Sequence, residues 1–415
     1  MNESRSVAVS VALPSGETVR CGTLAENPAA LVSQRLSFAY DPDYLALPAS
    51  TEISPDLPLH RGWSHPPAHL NVFPGIGDAM PDAWGRRLVS IEARRRGLAV
   101  TRLTDFDLLT LIPNNTRQGN LSFDAGTPDI EVPDLGILPR LASAIRAFDS
   151  GSELTDPEAL KLLPLGTSQG GARPKAAVAF SDGTLAIAKF PAQDDRWDVG
   201  AWEGVAHTLA RRAGLPVSDS RVCALHEGSS AFVAKRFDRT PEGGKIGYWS
   251  AQTLMLSTDT YGVPYTDLAS FVLFHVRDKR KEGERIVRQA AFNVLISNVD
   301  DHLRNYGLLH VQRQWSSSPA FDLNPYPHPE QVEATPLTPQ DDPTDRQLHS
   351  LVEAHAEFNA SRRTVVRIVK EVEVATRDWA AVARALNIDA ESINQMAPAF
   401  ENAQRQSARD LAVPD

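Results

Sequence analysis

The sequence predicts an α+β protein built as two lobes, with a β-rich amino-terminal part and a helical carboxy-terminal part. Residues 6–13 alternate apolar and polar side chains, which is typical of a half-buried strand. Two apolar runs, 176–180 and 185–190, flank a Ser-Asp-Gly-Thr segment, and Asp-Gly between such runs is a strong hairpin signal. Beyond about residue 250 the apolar residues recur mainly at helical spacing. A cleft between two lobes is a common place for a ligand.

The remaining elements follow from local signals in chain order. Helices are predicted where apolar residues recur at helical spacing between cap and stop residues, over 82–97, 104–112, 134–148, 153–165, 199–213 and 284–298. Strands are predicted at shorter apolar runs, over 20–24, 119–123, 230–237 and 306–311. The Pro- and Asp-rich stretch 40–81 is predicted to be irregular, 347–395 to be rich in helix, and the last dozen residues to be frayed.

The composition is that of a packed protein rather than a disordered or membrane-spanning one. Of 415 residues, 42% are hydrophobic and 23% charged, which is ordinary for a globular chain. The net charge of −10 argues against a broad nucleic-acid-coating surface. Two cysteines, Cys21 and Cys223, are too few for a disulfide framework or a Cys-rich zinc site. The amino terminus lacks the apolar core of a signal peptide, so we expect a cytoplasmic protein.

The most informative segment is NVLISNVDDHLRN, residues 293–305, where an apolar helix runs into a polar loop. Asp300, Asp301, His302 and Asn305 crowd into six residues, and such groups are costly to bury without partners. Protein kinase catalytic loops have the same five-residue spacing from Asp to Asn, in H-R-D-x-x-x-x-N. The match is partial, because the His follows the Asp here instead of preceding it.

A second carboxylate and an upstream cation complete the pattern expected for phosphoryl transfer. Asp322, in SPAFDL, follows a predicted strand, as does the metal-binding Asp of a kinase. Lys189 ends the apolar run AIAK, where a lysine is awkward to bury without an anion. Glu203 falls on the apolar face of helix 199–213, so a Lys189–Glu203 ion pair is predicted.

A Gly-rich segment, GTSQGGARPK at residues 166–175, precedes the predicted hairpin. It fits neither G-x-x-x-x-G-K-[ST] nor G-x-G-x-x-G. Its backbone N–H groups and its basic residues could nevertheless hold phosphates. A flexible linker is the alternative interpretation of this segment by itself.

Taken together, the motifs resemble the HipA serine/threonine kinases, toxins of bacterial toxin–antitoxin systems. The resemblance rests on GTSQGGARPKA, IAKFP, AKRFDR, NVLISNVDDHLRN and SPAFDL, with PDAWGRR and DLLTLIPNNTRQGNLSF in the amino-terminal part. It covers roughly residues 5–400. It implies a two-lobed protein-kinase-like fold, with an amino-terminal subdomain at 1–150, the core of the β-rich lobe at 151–245 and the helical lobe at 246–415.

The resemblance also assigns roles to individual residues. It implies ATP and Mg²⁺ as cofactors, Asp300 as the catalytic base, His302 as the loop histidine, and Asn305 and Asp322 as metal ligands. The segment matched to ATP binding consists of Gly170, Gly171, Ala172, Arg173, Pro174, Lys175, Lys189, Lys235, Arg236, Phe237 and Asp238. At the hinge residues 235–237, backbone groups are expected to make the adenine contacts.

Ser168 matches the serine that members of this family autophosphorylate, and its neighbour Thr167 is the alternative position. A phosphate at Ser168 would bring about −1.5 to −2 charges into a loop expected to cradle ATP phosphates. Autophosphorylation should therefore weaken ATP binding and inactivate the enzyme. The family further implies an aminoacyl-tRNA synthetase substrate, glutamyl-tRNA synthetase first, and a HipB-type helix-turn-helix antitoxin that contacts operator DNA.

Other functions remain open from the residues alone. A metal-dependent phosphohydrolase or nuclease could use Asp300, Asp301, His302 and Asp322 as a metal cluster. A catalytically weak kinase-like module could act mainly as an antitoxin partner. A small-molecule phosphotransferase would share the same phosphoryl-transfer parts.

Overall fold

A computed structural model describes residues 4–412 except 14, 151–162, 168–170, 227, 312–313 and 329–333. The chain divides into two compact units. Unit 1 comprises residues 1–194, 233–249 and 309–313, and unit 2 comprises residues 195–232, 250–308 and 314–415. The predicted helix 153–165 lies almost wholly outside the described residues, as do Ser168 and Gly170.

Unit 1 begins with a five-stranded sheet in the order β4-β3-β2-β1-β5. Its strands are β1 Arg5–Ala12, β2 Thr18–Glu26, β3 Leu36–Tyr40, β4 Trp63–Ser64 and β5 Leu121–Phe123, and all the neighbouring pairs are antiparallel. Alternate β1 residues Val7, Val9 and Val11 are at most 5% exposed. The period-2 pattern of the sequence therefore buries one face, as predicted for residues 6–13.

Five described helices accompany this sheet in unit 1, namely α1 Pro42–Ala46, α2 Pro74–Gly77, α3 Ala83–Arg95, α4 Asp105–Thr110 and α5 Leu138–Asp149. A capping box starts α4, because the Thr104 side chain and the Asp107 side chain each accept from the other's backbone N–H. Between β3 and α3 the chain is largely irregular, as the Pro-rich composition predicts.

The predicted hairpin is present in unit 1 as β6 Lys175–Ala179 and β7 Leu185–Lys189. Gly183 in its turn has φ +80, a conformation that glycine adopts without a steric penalty.

The other described strands of the chain are β8 Ser220–Ala224, β9 Ser230–Lys235, β10 Gly247–Ser250, β11 Gly307–Val311 and β12 Gln314–Ser317. The strand orders are β6-β7-β9-β8 and β10-β11-β12.

Unit 2 is mainly helical. Its helices are α6 Val199–Arg212, α7 Ala251–Leu254, α8 Tyr265–His275, α9 Lys279–Leu295, α10 Leu348–Glu353, α11 Arg362–Thr376, α12 Trp379–Ala385, α13 Ala390–Phe400 and α14 Ala403–Asp410. Asp198 caps α6 by accepting from the Ala201 N–H. Rings from three helices meet in the core, with Trp379 and Phe400 stacked 4.7 Å apart and Trp202 beside both.

The helix α14, Ala403–Asp410, includes most of the described residues that were predicted to be frayed. The helix α14 is held by Arg405, which is 2% exposed and donates to the Phe400 carbonyl at 2.6 Å. Arg405 also lies 3.5 Å from the buried carboxylate of Glu373 on α11. The prediction of fraying was wrong over α14, because the polar sequence AQRQSARD does not indicate this buried ion pair.

Among the helices of the described ranges, none has the length and apolar character needed to span a membrane.

Candidate active site

The helix α9 lies in the apolar core of unit 2 and leads into the polar loop at residues 300–305. Residues 290–296 are buried, and the helix ends where Ser297 takes a positive φ of 50 and the Asn298 N–H returns to the Asn293 carbonyl. This closure is typical of a helix carboxyl end. The next residues, 300–305, therefore leave the core at a fixed point.

Asp300 projects from this loop into solvent, with 64% of its side chain exposed. The Asn305 amide donates from Nδ2 to the backbone carbonyl of Asp300 at 2.7 Å. The Tyr261 hydroxyl donates to Asp300 Oδ1 at 2.9 Å. The five-residue spacing singled out in the sequence thus closes a small ring, in which the amide fixes the backbone that carries the carboxylate.

The neighbouring carboxylate, Asp301, points into the protein instead. It is 5% exposed, accepts from the Tyr265 hydroxyl at 2.6 Å and lies 3.5 Å from Arg346 Nη1. Burial raises the pKa of Asp301, while the Arg346 charge and the Tyr265 hydrogen bond act against that rise. Arg346 also donates to the Asn298 carbonyl at 2.7 Å, so this pair secures the start of the loop.

Asp322 lies on the same side of unit 2. Its backbone has φ +58, a left-handed conformation that is uncommon outside glycine and recurs at functional sites. The Asn298 amide lies 3.4 Å from its carbonyl oxygen, and the Asn324 amide donates to its Oδ1 at 3.1 Å. Burial, followed by the charge of Asp300 and then by that of Asp322, raises the pKa of Tyr261 to about 12.

The oxygen donors of this part of unit 2 fit a hard divalent cation. Mg²⁺ prefers carboxylate and carbonyl oxygens. Asn305 uses its Nδ2 for Asp300, which leaves its amide oxygen as the group able to bind a cation. The oxygens Asn298 Oδ1 and Asn324 Oδ1 are buried without a hydrogen-bond partner among the described residues. Buried acceptors of this kind are suited to bind an ion or a water molecule.

His302 takes part in the loop without contacting the base closely. Its Nε2 lies 4.0 Å from Asp300 Oδ1, and its ring packs edge-on against Tyr261 with centroids 5.2 Å apart. Because Asp301 faces Tyr265 and Arg346, the four residues of the metal-cluster alternative do not converge. In the described part of the chain, no group of three or more His, Cys, Asp or Glu is arranged to hold a metal ion.

The Gly-rich segment and its lysines belong to unit 1. Lys175 of β6 pairs across the hairpin with Lys189 of β7. Lys175 is 5% exposed, whereas Lys189 is half-buried, and the role of Lys189 as the phosphate-binding lysine stays a prediction. Lys189 ends its strand, where a long side chain can reach outward. Gly171 has φ +98, and a Cβ there would overlap Lys175 Nζ.

The remaining residues of this segment differ in accessibility. Ala172 is exposed, Arg173 half-buried and Pro174 buried. Thr167 is 5% exposed, and its hydroxyl donates to the Pro164 carbonyl at 2.8 Å. Thr167 is therefore a poor modification site in this conformation.

Glu203 of α6 in unit 2 is 2% exposed, as its place on the apolar face predicted, and its pairing with Lys189 stays a prediction.

The predicted hinge, 235–237 in unit 1, and the two residues after it contain a buried charge cluster that the sequence did not indicate. Asp238 accepts from Arg236 at 2.6 Å, from Arg239 at 2.9 Å and from the Gly119 N–H at 2.9 Å. The same arginines donate to the carbonyls of Thr116 and Arg117 at 2.6 and 2.7 Å. These side chains are committed to the fold, so the predicted nucleotide contacts rest on the backbone of Lys235, Arg236 and Phe237.

Sequence reasoning missed Tyr261, Tyr265, Arg346 and Asn298 as parts of the site. Tyr261 and Asp300 are 39 residues apart, and Arg346 and Asn298 are 48 apart. No local spacing links such residues. The one available signal was that Asp301 needed a buried cation, because a carboxylate next to an apolar helix is seldom left unpaired.

Comparison with known proteins decides the family. Residues 167–380 match the HipA-like C-terminal domain, and residues 15–123 match the HipA N-terminal domain. The chain belongs to the HipA family. The first match includes Lys189, Asp300, Asn305 and Asp322, and the second covers most of the five-stranded sheet.

A solved HipA structure confirms the fold class. The chain has a TM-score of 0.65 to a structure of the Shewanella oneidensis MR-1 toxin–antitoxin system of HipA, HipB and operator DNA. The two sequences are 16% identical, and the match covers 98% of this chain and 100% of the other. The predicted α+β, kinase-like fold, with β-rich and helical parts, is therefore correct.

Two curated relatives carry kinase names. The HipA-family chain is 31% identical over 129 residues to "Putative kinase Y4dM" of Sinorhizobium fredii (strain NBRC 101917 / NGR234), covering 28% of this chain and 31% of the relative. It is 28% identical over 110 residues to a "Putative kinase" of Haemophilus influenzae (strain ATCC 51907 / DSM 11121 / KW20 / Rd), covering 23% of this chain and 32% of the relative. The matched part thus spans about a third of each relative's length. The protein is kinase-like.

Proposed function

We propose that this HipA-family protein is a serine/threonine kinase that transfers the γ-phosphoryl group of ATP to a protein hydroxyl. The observation that carries the proposal is the arrangement of Asp300. Its carboxylate is exposed and accepts from the Tyr261 hydroxyl, its backbone carbonyl is held by Asn305, and Asp322 follows along the chain. A base, an amide oxygen and a second carboxylate in this order are the parts that kinase chemistry requires.

Each of these groups has a role in the proposed reaction. The substrate hydroxyl oxygen attacks the γ-phosphorus as the bond to the β–γ bridging oxygen breaks, and ADP leaves. Asp300 receives the hydroxyl proton, because an exposed carboxylate on a fixed backbone can approach an incoming side chain. Asn305 and Asp322 would hold Mg²⁺, which when bound neutralises charge on the nucleotide phosphates.

The nucleotide contacts are proposed for unit 1. Lys189 is the proposed phosphate ligand, with the backbone of residues 170–175 as the phosphate-binding loop and that of 235–237 as the hinge. The half-buried position of Lys189 at the end of β7 supports this role. The left-handed Gly171 supports the loop assignment, because phosphate-binding loops use such residues to turn N–H groups toward an anion.

We further propose that the protein is a toxin whose partner is a HipB-type antitoxin, with operator DNA bound only through that antitoxin. The similar Shewanella structure contains HipA, HipB and operator DNA, which supports this partner. An aminoacyl-tRNA synthetase, glutamyl-tRNA synthetase first, is the proposed substrate on the strength of the family resemblance. Inactivating autophosphorylation is proposed at Ser168, outside the described residues, and the burial of Thr167 favours Ser168 over it.

The central test is transfer from γ-labelled ATP in the presence of Mg²⁺. The wild-type chain should label itself, and Asp300→Asn should lose this labelling, because asparagine cannot accept the proton. The matched control is Asp219→Asn, which removes a carboxylate of unit 2 whose side chain is 86% exposed. The control should label as the wild type does. Labelling of Asp300→Asn at the wild-type rate would refute the assignment of the base.

Two further measurements test the finer parts of the proposal. Ser168→Asp should weaken ATP binding while Ser168→Ala leaves it intact, because only the first adds negative charge to the phosphate-binding loop. Purified glutamyl-tRNA synthetase should accept label from the wild-type chain and none from Asp300→Asn. Equal ATP affinity in the two Ser168 variants would rule out the inactivation mechanism, and an unlabelled synthetase would rule out that substrate.

A further inference from the structure

Tyr261 lies at the proposed base on a loop that is itself tightly folded. The loop runs between α7 and α8, and the Asp259 carboxylate accepts the N–H groups of Tyr261 at 3.0 Å and Gly262 at 2.9 Å. The Asp259 N–H in turn donates to Ser257 Oγ at 3.0 Å. A side chain that caps its own turn in this way restricts the backbone that carries the tyrosine.

The loop is joined to residues 300–305 by three contacts. The Tyr261 hydroxyl donates to Asp300 Oδ1 at 2.9 Å, and its ring packs edge-on against His302 with the planes at 90°. The Leu303 N–H donates to the Thr260 carbonyl at 3.1 Å. The contacts therefore include a backbone bond, a ring contact and a hydroxyl, and only the hydroxyl reaches the carboxylate.

The Asp300 carboxylate is 64% exposed, and a hydrogen bond restricts the rotamers of a side chain at the surface. Asn305 holds the backbone carbonyl of Asp300. Burial and the charges of Asp300 and Asp322 raise the pKa of Tyr261 to about 12, so at neutral pH the hydroxyl keeps its proton and remains a donor.

We propose that Tyr261 is a positioning residue, whose hydroxyl fixes the orientation in which the Asp300 carboxylate accepts the proton of the substrate hydroxyl. The inference rests on the proposed kinase function. It adds a residue from a separate loop to the proton-accepting apparatus. Tyr261 acts through Asp300 and contributes no contact of its own to the nucleotide.

The decisive variant is Tyr261→Phe, which removes the hydroxyl and keeps the ring that packs on His302. We expect kcat to fall about 10- to 100-fold, the effect of a slightly misplaced catalytic group. The KM for ATP should stay within about twofold, because the nucleotide contacts are proposed for other residues. The melting temperature should be unchanged. The control is Tyr44→Phe, which removes a buried hydroxyl bonded to the Thr51 carbonyl in unit 1 and should retain the wild-type kcat.

A second variant separates positioning from a merely structural role. In the Asp300→Asn background, adding Tyr261→Phe should cause no further loss of the residual rate, because the hydroxyl then has no base to orient. A further loss of the same size in that background would overturn the inference. So would an unchanged kcat in Tyr261→Phe.

Two other outcomes would assign Tyr261 a different role and reject this one. A higher kcat in Tyr261→Phe would mean that its hydroxyl competes with the substrate for Asp300. Phosphotyrosine at 261, found by mass spectrometry after incubation with ATP and Mg²⁺, would make it an acceptor. These results leave the proposed function standing, since the wild type still transfers label. A folded wild-type chain that transfers no label at all would overturn both.

Discussion

The carboxylate of Asp300 and the charged segment at 236–239 lie in opposite environments. The Asp300 side chain is 64% exposed, whereas the side chains of Arg236, Asp238 and Arg239 are 3 to 4% exposed. In the second segment each charge is paired within unit 1, and the arginines also donate to backbone carbonyls of the 115–117 turn. A charged motif can therefore serve chemistry or hold a fold together, and burial distinguishes the two.

The contrast shows what each arrangement costs to disturb. Replacing a carboxylate that projects into solvent should change the free energy of unfolding of the protein little, because water already solvates that carboxylate. A buried carboxylate between two arginines leaves uncompensated charges when it is removed. Activity and stability should consequently separate between the two regions, and the following variants test that separation.

The largest effect should come from Asp300→Asn, with a fall in the phosphoryl-transfer rate of roughly 10²- to 10⁴-fold. Its free energy of unfolding should match that of the wild type, since the backbone carbonyl of Asp300 still accepts from Asn305. Rates measured with labelled ATP and unfolding in urea check the two parts. A marked loss of stability would mean that Asp300 belongs with the structural charges.

Asp238→Ala should do the reverse and destabilise unit 1 by about 3–5 kcal/mol, because it strands two buried arginines. The pKa of Asp238 is held below its ordinary value chiefly by the Arg236 and Arg239 charges, which outweigh its burial. Its contribution is therefore present above pH ~4 and fades as the pH falls through the folded-state value. Urea unfolding checks the loss, and exposed Asp43→Ala is the control that should change little. Wild-type stability in Asp238→Ala would contradict the structural role.

Lys245 extends the same cluster and gives it a pH dependence. Burial and the charges of Arg239, Arg117 and Arg236 lower its pKa to about 7. Between pH 7 and about 10.4, the unfolded chain keeps a proton that the folded chain has released, so Lys245 makes stability rise with pH. The free energy of unfolding of the wild type, relative to Lys245→Met, should increase by on the order of 3 kcal/mol across that window.

The control for this pH effect is Lys281→Met, which replaces an exposed lysine. Its free energy of unfolding should follow the wild type at every pH. A constant difference between wild type and Lys245→Met from pH 7 to pH 10 would show that Lys245 titrates like a lysine in water.

The smallest effect is expected from Gly171→Ala, compared with Gly183→Ala. Both residues have positive φ, so each substitution should cost about 1 kcal/mol of stability. Only Gly171→Ala displaces Lys175 Nζ, because no atom lies within 4 Å of a Cβ at Gly183. The KM for ATP should therefore rise about fivefold in Gly171→Ala alone, equivalent to ~1 kcal/mol. Equal KM values would remove Lys175 from the proposed phosphate-binding loop.

Much of the fold could be predicted from local sequence. The hairpin at 175–189, the helix α6 and the burial of Glu203 follow from turn residues, caps and apolar spacing, which act over a few residues. The helix α14 was mispredicted as frayed, because the distant Glu373 helps to hold it, and the burial of Lys175 was not predicted, because it depends on strand pairing.

The candidate site divides in the same manner. The spacing of Asp300 and Asn305 is local. The sequence by itself therefore determined that the Asn305 amide could donate to the backbone carbonyl of Asp300. The tertiary structure decided which of the two adjacent carboxylates faces solvent. Tyr265 and Arg346, which are 36 and 45 residues away in the chain, bind Asp301 inside the protein. The tertiary structure likewise brought Tyr261 to Asp300 and Gly119 to Asp238. Contacts at such separations depend on how whole elements pack, and no periodicity within the chain encodes them.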